Sequence, residues 1–262
     1  MRSFHSYSRN FYRQRQEGSL TSAQNIVPLV LEYLQPKSVI DVGCGLGTWL
    51  AVFQSYGIVD ILGLDGNHID TKMLEIPKKY FSCADFRKPL PLGRTFDLVL
   101  SLEVAEHLPE EKADLFINSL TNLGRIILFS AAIPYQGGTN HLNLQWPDYW
   151  AQLFLKRRYL AVDCFRKRIW NNKDIEYWYA QDLLLFVQAD TLDEHPKLKK
   201  EYEYASWCPL SIVHPEQYLS VARASAEEMS LGDIVPALPR LIYKSLKNRL
   251  AKSSSKAGTE KA

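Results

Sequence analysis

The chain has 262 residues, of which 46% are hydrophobic and 23% charged. This length and composition suit one large α/β domain, or one domain with an appendage, in an ordinary globular protein. The formal net charge of +2 is too small to require a polyanionic partner, so we expect no nucleic-acid partner.

The chain's cysteines and its apolar runs bear on its location. Its four cysteines are widely spaced and form no Cys-x-x-Cys pair: Cys44, Cys83, Cys164 and Cys208. This pattern argues against a zinc ribbon or a disulfide framework and favours a reducing compartment. The polar N-terminus lacks the apolar core of a signal peptide, and no apolar run could span a bilayer. We therefore expect a cytoplasmic protein without an integral membrane segment.

Predicted strands and helices alternate along the chain. After a polar, partly flexible arm over residues 1–20, apolar side chains at helical spacing predict a helix over residues 25–34. The predicted strands are 38–42, 60–65, 80–84, 96–102, 125–133, 159–165 and 183–188, and the further helices are 48–56, 109–120 and 147–157. Because the strands are apolar on both faces, this order indicates an α/β fold with a mostly parallel sheet covered by helices on both sides. Ligands of such sheets bind at the carboxyl ends of the strands.

The alternation weakens near residue 190. We therefore expect the main domain over residues 21–190 and an irregular, partly helical C-terminal extension over residues 191–262, with a disordered tail. The segment Leu238–Leu250 could form a helix with a basic face. Three roles stay open for that face: contact with an acidic membrane surface, contact with another subunit of a homodimer, and simple exposure to solvent.

The strongest motif is the loop Asp41–Gly47, which lies between a predicted strand and a predicted helix. Its glycines, Gly43, Gly45 and Gly47, are spaced as GxGxG, whereas nicotinamide enzymes use GxGxxG. Small residues such as these let a ligand approach the main chain and the helix N-terminus closely, and Cys44 lies between them. The carboxylate of Asp41 suits a cation and would repel a diphosphate. The loop therefore predicts binding of S-adenosyl-L-methionine (SAM), which carries an ammonium and a sulfonium group.

Two further carboxylates end the next predicted strands. Asp65, followed by Gly66, can accept hydrogen bonds from both hydroxyls of an adenosine ribose. Asp85 could accept a hydrogen bond from the adenine amino group while Phe86 packs nearby. A purely structural role in a turn or a helix cap is the alternative at both aspartates.

Together these motifs resemble those of class I SAM-dependent methyltransferases. The segments that carry the resemblance are Asp41–Gly47, Leu64-Asp65-Gly66, Ala84-Asp85-Phe86 and Phe96–Leu108, within roughly residues 36–190. The resemblance implies a Rossmann-like, seven-stranded sheet with the methionine part of SAM at Asp41–Gly47, the ribose at Asp65 and the adenine at Asp85. It also places the loop after the fourth strand beside the transferred methyl group, so Ser101 and Glu103 are predicted to contact the cofactor.

Two histidines are candidate bases. Methyl transfer is an in-line displacement in which the enzyme aligns the acceptor and often removes its proton. The unperturbed pKa of histidine lies near neutrality, which makes His107 and His141 suitable proton acceptors. Bracing of the loop is the alternative for His107. Since Asp148 is the only acidic residue near His141 in sequence, and magnesium prefers oxygen ligands, we predict no metal site.

The segment 134–150 follows the fifth strand, where an acceptor lid would lie. It combines hydrogen-bonding groups with flat aromatic faces, and its predicted acceptor contacts are Asn143, Gln145, Trp146 and Tyr149. Such a surface suits a sugar-like or other polyol acceptor, although packing against the sheet would use the same side chains. The Gly-Gly-x-x-His-x-Asn-x-Gln-Trp pattern also resembles a bacterial subgroup associated with glycan or secondary-metabolite pathways.

The predicted function is O-methylation of a small hydroxylated acceptor with a histidine base. Methylation of nitrogen or of a carboxyl group on a small molecule stays open, as does a non-catalytic SAM-binding scaffold. A nucleic-acid methyltransferase is disfavoured by the charge, and Ser101–Val104 stands where base-modifying enzymes carry Asn/Asp-Pro-Pro-Tyr/Phe.

Overall fold

The fold is taken from a computed structural model, which describes residues 9–90 and 92–227, with side chains for residues 17–90 and 92–223. The strands are β1 (Ser38–Val42), β2 (Asp60–Asp65), β3 (Phe81–Cys83), β4 (Leu98–Leu102), β5 (Ile126–Ser130), β6 (Tyr159–Val162) and β7 (Leu184–Gln188). The helices are α1 (Arg9–Tyr33), α2 (Thr48–Ser55), α3 (Ala113–Leu123), α4 (Pro147–Leu155), α5 (Arg166–Ile169), α6 (Tyr177–Asp182), α7 (Ala189–Leu192), α8 (Pro196–Ala205) and α9 (Pro215–Glu227). Short 3₁₀ turns lie at Lys78–Tyr80, Ala105–His107 and Glu110–Lys112.

The strands form one seven-stranded sheet in the order β3-β2-β1-β4-β5-β7-β6. Strands β1 to β5 are parallel, whereas β7 runs antiparallel to both β5 and β6. The predicted Rossmann-like, mostly parallel sheet is therefore confirmed. The strand order reverses at β1, whose neighbours are β2 and β4, and ligands of open α/β sheets bind at such a switch point.

Two hydrophobic layers hold the sheet between helices. Successive residues of β4 alternate between them, with Leu98 and Leu100 on the side of α1 and α2 and Val99 on the side of α3 and α4. In the second layer Phe154 of α4 stacks on Phe186 of β7, with ring centroids 3.9 Å apart. Because every residue of β1, β4 and β5 is buried, the apolar runs in the sequence identified these strands correctly.

The N-terminal helix is longer than predicted. Its helical backbone begins at Arg9 rather than at residue 25, so most of the predicted flexible arm over residues 1–20 is helical. Arg, Gln and Glu are good helix formers, and α1 is fixed by the burial of Ala23, Ile26 and Val30 against the sheet. The helix predicted over residues 109–120 starts instead as a 3₁₀ turn, and α3 begins at Ala113.

The compact unit that contains the sheet extends to Gln217, and a second unit starts at Tyr218. Helix α8 packs against β6 and buries Leu198 completely in the first hydrophobic layer. The predicted extension from residue 191 therefore begins inside the sheet-containing unit. The predicted basic helix Leu238–Leu250 lies outside the described residues. In the described part of the chain, no helix combines the length and the apolar character that a membrane crossing needs.

Tyr159 on β6 gives a test of this architecture. Its buried hydroxyl lies 2.7 Å from the carbonyl oxygen of Gly124 and 3.0 Å from that of Thr121, so it satisfies main-chain groups at the end of α3. We expect Tyr159→Phe to lower the free energy of unfolding by about 1–2 kcal/mol, because buried acceptors lose their donor. Urea unfolding measures this change. Tyr56→Phe is the matched control, since Tyr56 is 51% exposed, and an equal loss in both variants would contradict the assignment.

Candidate functional site

The loop after β1 leaves main-chain space open at its centre. Gly43, Gly45 and Gly47 all have positive φ angles. A Cβ atom on Gly43 would lie 2.2 Å from the side chain of Val104, whereas one on Gly45 would meet no described atom within 4 Å. Gly43 therefore lets the loop after β4 pack directly against the glycine loop. Gly45 leaves room for a ligand to approach the main chain.

Asp65, at the end of β2, holds this loop in place. One carboxylate oxygen accepts a hydrogen bond from the N–H of Gly45 at 2.7 Å, and the other accepts one from the N–H of Gly66 at 2.6 Å. The ring of His68 lies 3.5 Å from the same carboxylate. A carboxylate has about four acceptor positions, so Asp65 can accept further hydrogen bonds from ligand hydroxyls.

Asp41 is a buried carboxylate within β1. Its side chain is 2% exposed, and burial, with a smaller contribution from the nearby Asp65 carboxylate, raises its pKa to about 7. A carboxylate withdrawn from water in this way is stabilised by a cation that enters the site. The end of β1 is thus suited to a positively charged ligand, and the contact of Asp41 with the cofactor stays a prediction.

Cys44 and Asp85 have local structural partners. The Cys44 sulfur occupies the space above Gly63, and burial raises the pKa of the thiol, so this cysteine packs as a neutral group. The Asp85 carboxylate accepts a hydrogen bond from the Nε of Arg87 at 2.8 Å, which holds the pKa of Asp85 at about 2. Phe86 packs on Phe116, with ring centroids 5.8 Å apart. The adenine contact at Asp85 and Phe86 stays a prediction.

The turn after β4 has an unusual backbone. Glu103 adopts a left-handed φ of 56°, which is uncommon for a residue with a long side chain and is often found at functional sites. Its N–H donates to the carbonyl oxygen of Ser130 at 3.1 Å, and its carboxylate accepts a hydrogen bond from Gln136 at 2.9 Å. Ser101, which lies within β4 two residues before Glu103, is fully buried, and its hydroxyl makes no hydrogen bond to a described residue.

A buried polar network beside Glu103 was missed from the sequence. The Gln181 amide donates to the side-chain oxygen of Gln136 at 3.2 Å, and Asp182 is buried next to it. Burial, with a further contribution from Glu103, raises the pKa of Asp182 well above its ordinary value. The sequence feature that could have revealed this network is the polar pair Gln181–Asp182, which comes directly before an apolar strand. Because β7 is antiparallel, its start lies at the edge where the parallel strands end.

The two candidate bases lie together. The rings of His107 and His141 meet edge to face, with centroids 4.9 Å apart. The N–H groups of Leu142 and Asn143 donate to the carbonyl oxygen of Glu106 at 2.7 and 3.0 Å, which ties the loop after β5 to the turn after β4. The Nδ1 of His107 lies 3.3 Å from the carbonyl oxygen of Asn140. Since a carbonyl only accepts, this contact favours the tautomer with the proton on Nδ1.

Glu106, rather than Asp148, is the acidic neighbour of His141. Glu106 is fully buried, and its carboxylate lies within 4.8 Å of ligand atoms on both His107 and His141. Burial, and next the charge of Glu103, raise the pKa of Glu106 well above its ordinary value. Asp148 instead accepts a hydrogen bond from the Ser211 hydroxyl. The expectation that only Asp148 could accompany His141 was wrong, because the pairing of β4 with β5 brings their loops together.

The predicted acceptor residues occupy different environments. Asn143 is buried and accepts a hydrogen bond from Gln145 at 2.9 Å, so these two residues brace the loop. Trp146 is 40% exposed at the start of α4. Burial raises the pKa of Tyr149, whose hydroxyl lies beside the Asn143 amide. Trp150, by contrast, packs in the core against Phe129. An exposed aromatic face is therefore available at Trp146.

Comparisons with known proteins agree with this architecture. A family model described as a methyltransferase domain matches residues 12–166. A probable tocopherol O-methyltransferase of chloroplasts from Oryza sativa subsp. japonica is 36% identical over 98 residues, which are 34% of this chain and 26% of the relative. The chain therefore matches about a quarter of that relative's length.

Two solved structures share the fold. A SAM-bound amino pentose methyltransferase from Micromonospora echinaspora is 13% identical, with a TM-score of 0.51 over 72% of this chain and 100% of that one. A putative O-methyltransferase from Nostoc punctiforme PCC 73102 is 14% identical, with a TM-score of 0.51 over 68% of this chain and 58% of that one. At these identities the likeness shows the fold alone.

Proposed function

This chain belongs to the family of class I SAM-dependent methyltransferases, and from that premise we propose that it methylates a hydroxyl oxygen of a small, sugar-like acceptor. The observation that carries the proposal is the position of the turn after β4. Val104 of this turn packs directly on Gly43 of the glycine loop, and the same turn carries His107 beside His141. The candidate bases and the candidate cofactor loop thus belong to adjoining segments.

The residues at the ends of β1 and β2 fit SAM. When bound, SAM supplies an activated methyl group together with an ammonium group. The buried carboxylate of Asp41 suits that cation, and the open space at Gly45 admits a ligand against the main chain. Asp65 holds the loop and has acceptor positions left for ribose hydroxyls.

A hydroxyl acceptor suits the chemistry of the histidine pair. A hydroxyl group loses its proton when its oxygen is methylated, so a nearby proton acceptor accelerates the transfer. His107 and His141 provide that group, and the exposed face of Trp146 offers a surface for a sugar ring. The name of the curated relative, a probable tocopherol O-methyltransferase, supports an oxygen acceptor.

Calorimetry with S-adenosylhomocysteine, the product form of the cofactor, tests the cofactor part of the proposal. We expect micromolar binding to the wild type, about −8 kcal/mol, and no binding of NAD. Asp65→Ala should weaken binding at least about tenfold, or about 1.4 kcal/mol, because it removes both the anchor of Gly45 and the ribose acceptor.

Asp60→Ala is the matched control. Asp60 is the first residue of β2, at the end of the strand opposite to Asp65, and it pairs there with Arg94. Asp60→Ala should leave the affinity for S-adenosylhomocysteine unchanged. Binding of NAD instead of S-adenosylhomocysteine, or equal affinities in the two variants, would overturn the assignment.

Two alternatives make different predictions. An amine acceptor would tolerate loss of both His107 and His141, since an amine can be neutral before the transfer. A scaffold would bind S-adenosylhomocysteine without turning over any acceptor. A cytoplasmic location and a homodimer stay predictions from the sequence.

A further inference from the structure

We infer that Glu106, His107 and His141 bind one divalent transition-metal ion, which in turn binds the acceptor through a pair of neighbouring hydroxyls. The metal site rests on the geometry of these three residues. The role given to the metal in the reaction rests on the proposed function. The sequence alone predicted no metal here, because the three residues come from two loops that only the fold brings together.

The spacing of the three side chains fits a single ion. One ligand atom from each residue lies within 4.8 Å of the other two. Ligand atoms of a transition metal lie about 2.0–2.2 Å from the ion, so small side-chain rotations would bring these three atoms into the same shell. The carboxylate of Glu106 is acceptor-only when ionised and would complete a set of two imidazoles and one carboxylate.

The burial of Glu106 supplies an independent sign that this site binds a cation. It is fully buried, yet neither of its carboxylate oxygens makes a hydrogen bond of good geometry to a described residue. Its own N–H and that of Ala132 are main-chain donors beside this carboxylate. An ionised carboxylate buried in this way costs several kcal/mol unless a cation is bound to it. A metal ion between Glu106 and the histidines would offset that cost.

The surroundings of the histidines suit ligation. The contact of the His107 Nδ1 with the Asn140 carbonyl leaves the lone pair on Nε2, and such a contact orients many metal-binding histidines. His141 packs closely over Gly138, where a Cβ atom would lie 2.1 Å from the ring. Asn140, between these two residues, adopts a left-handed φ of 60°. The loop is therefore shaped around the two rings.

The donor set indicates the class of metal. Magnesium and calcium prefer shells made entirely of oxygen, whereas two imidazoles with one carboxylate suit zinc, manganese, iron or cobalt in the divalent state. Three protein ligands leave coordination positions open for other molecules, as in catalytic metal sites. Two neighbouring hydroxyls of a polyol could occupy those positions as a chelate.

The metal changes the role of the histidines in the proposed reaction. A hydroxyl bound to a divalent metal loses its proton more readily, so the O–H bond breaks and the proton passes to solvent. The methyl carbon then forms its bond to that oxygen as its bond to sulfur breaks, and S-adenosylhomocysteine leaves. No group is oxidised or reduced. The histidines act as ligands, and the hydroxyl is activated by the metal rather than by a direct base.

Metal binding can be measured without any acceptor. The full chain is stripped with a chelator and titrated with Mn²⁺, followed by electron paramagnetic resonance, and with Zn²⁺, followed by calorimetry. We expect one ion per chain. Glu106→Gln and His141→Gln should each weaken binding by more than about 100-fold, since loss of an outer-shell partner alone costs about 10–100-fold. His195→Gln, at the start of α8, is the matched control and should bind as the wild type does.

The affinity for S-adenosylhomocysteine, measured on the same samples, separates this inference from the proposed function. We expect it to be unchanged in Glu106→Gln and His141→Gln, which also shows that both variants fold. Should either variant fail to fold, His107→Gln provides the same test. The metal site would be overturned if the wild type bound neither Mn²⁺ nor Zn²⁺ at one ion per chain. It would also be overturned if Glu106→Gln and His141→Gln bound the metal as tightly as the wild type does. Failure of the wild type to bind S-adenosylhomocysteine would overturn the proposed function instead.

Discussion

Asp41→Asn should bind S-adenosylhomocysteine more than about 100-fold more weakly than the wild type, a loss of about 2.7 kcal/mol, and yet be more stable. The affinity falls because a neutral amide replaces the carboxylate that we assign to the ammonium group of the ligand. The stability rises because, in the absence of ligand, the wild type buries the carboxylate of Asp41, a residue that is 2% exposed and has its pKa raised to about 7. An asparagine of nearly the same shape removes that buried charge.

The pH dependence of the stability gain follows from the direction of the pKa change. The pKa of Asp41 is higher in the folded state, about 7, than its ordinary value of 3.8, so the folded state binds the proton more tightly. Stability is therefore lost as the pH rises from about 4 to about 7, and the loss is constant above that range. The pKa difference of about 3 corresponds to at most about 4 kcal/mol. We expect a gain of roughly 2 kcal/mol, since the amide of asparagine also needs hydrogen bonds.

Urea unfolding at pH 5 and pH 8, together with calorimetry at pH 8, measures both effects. The gain in stability should be larger at pH 8 than at pH 5. Asp60→Asn, which changes an exposed carboxylate on the neighbouring strand, should alter neither the affinity nor the stability by much. The assignment of Asp41 to a cation is wrong if Asp41→Asn binds S-adenosylhomocysteine as well as the wild type does.

Local signals in the sequence were sufficient for most of the fold. Strands buried on both faces appear as continuous apolar runs, so β1, β2 and β4 were predicted within two residues of their bounds. The start of α1 could not be predicted, because its first turns carry few apolar residues and the helix depends on docking further along at Ile26 and Val30. The extent of the sheet-containing unit was also missed, because a single buried residue, Leu198, is a weak signal in the polar helix α8.

The proximity of the glycine loop to Asp65 was predictable from the sequence, whereas the other contacts within the candidate site were not. Asp41 and the glycines are contiguous, and Asp65 ends the next strand, so a spacing rule places them together. Glu106 reaches His141 only because β4 pairs with β5, which no local pattern encodes. Asp182 joins Glu103 only because β7 runs antiparallel to β5. The residues around the two candidate bases are therefore those whose neighbours depend on the topology.

Loss of His141 should lower turnover about 1000-fold, within the range of about 10²–10⁴ that proton transfer contributes. His141→Gln removes one of the two rings that lie 4.9 Å apart, while the residues on β1 and β2 that we assign to the cofactor are untouched. The expected result is a lower kcat without a change in affinity for S-adenosylhomocysteine. The measurement is formation of S-adenosylhomocysteine from SAM against a panel of sugars and vicinal diols, with His195→Gln as the control.

Glu106→Gln distinguishes the two roles that the histidines could have. If they act as direct bases, the buried carboxylate only supports the loop, and its conservative replacement should cost little in kcat. If they hold a metal, Glu106→Gln should lower kcat as severely as His141→Gln does, because the ion is lost in both. Added Mn²⁺ or Zn²⁺ would then restore turnover to the stripped wild type but not to either variant at the same concentration. Equal turnover of Glu106→Gln and the wild type would contradict the metal-bound role, because the carboxylate would then have no part in activating the hydroxyl. The histidines would then act as direct bases.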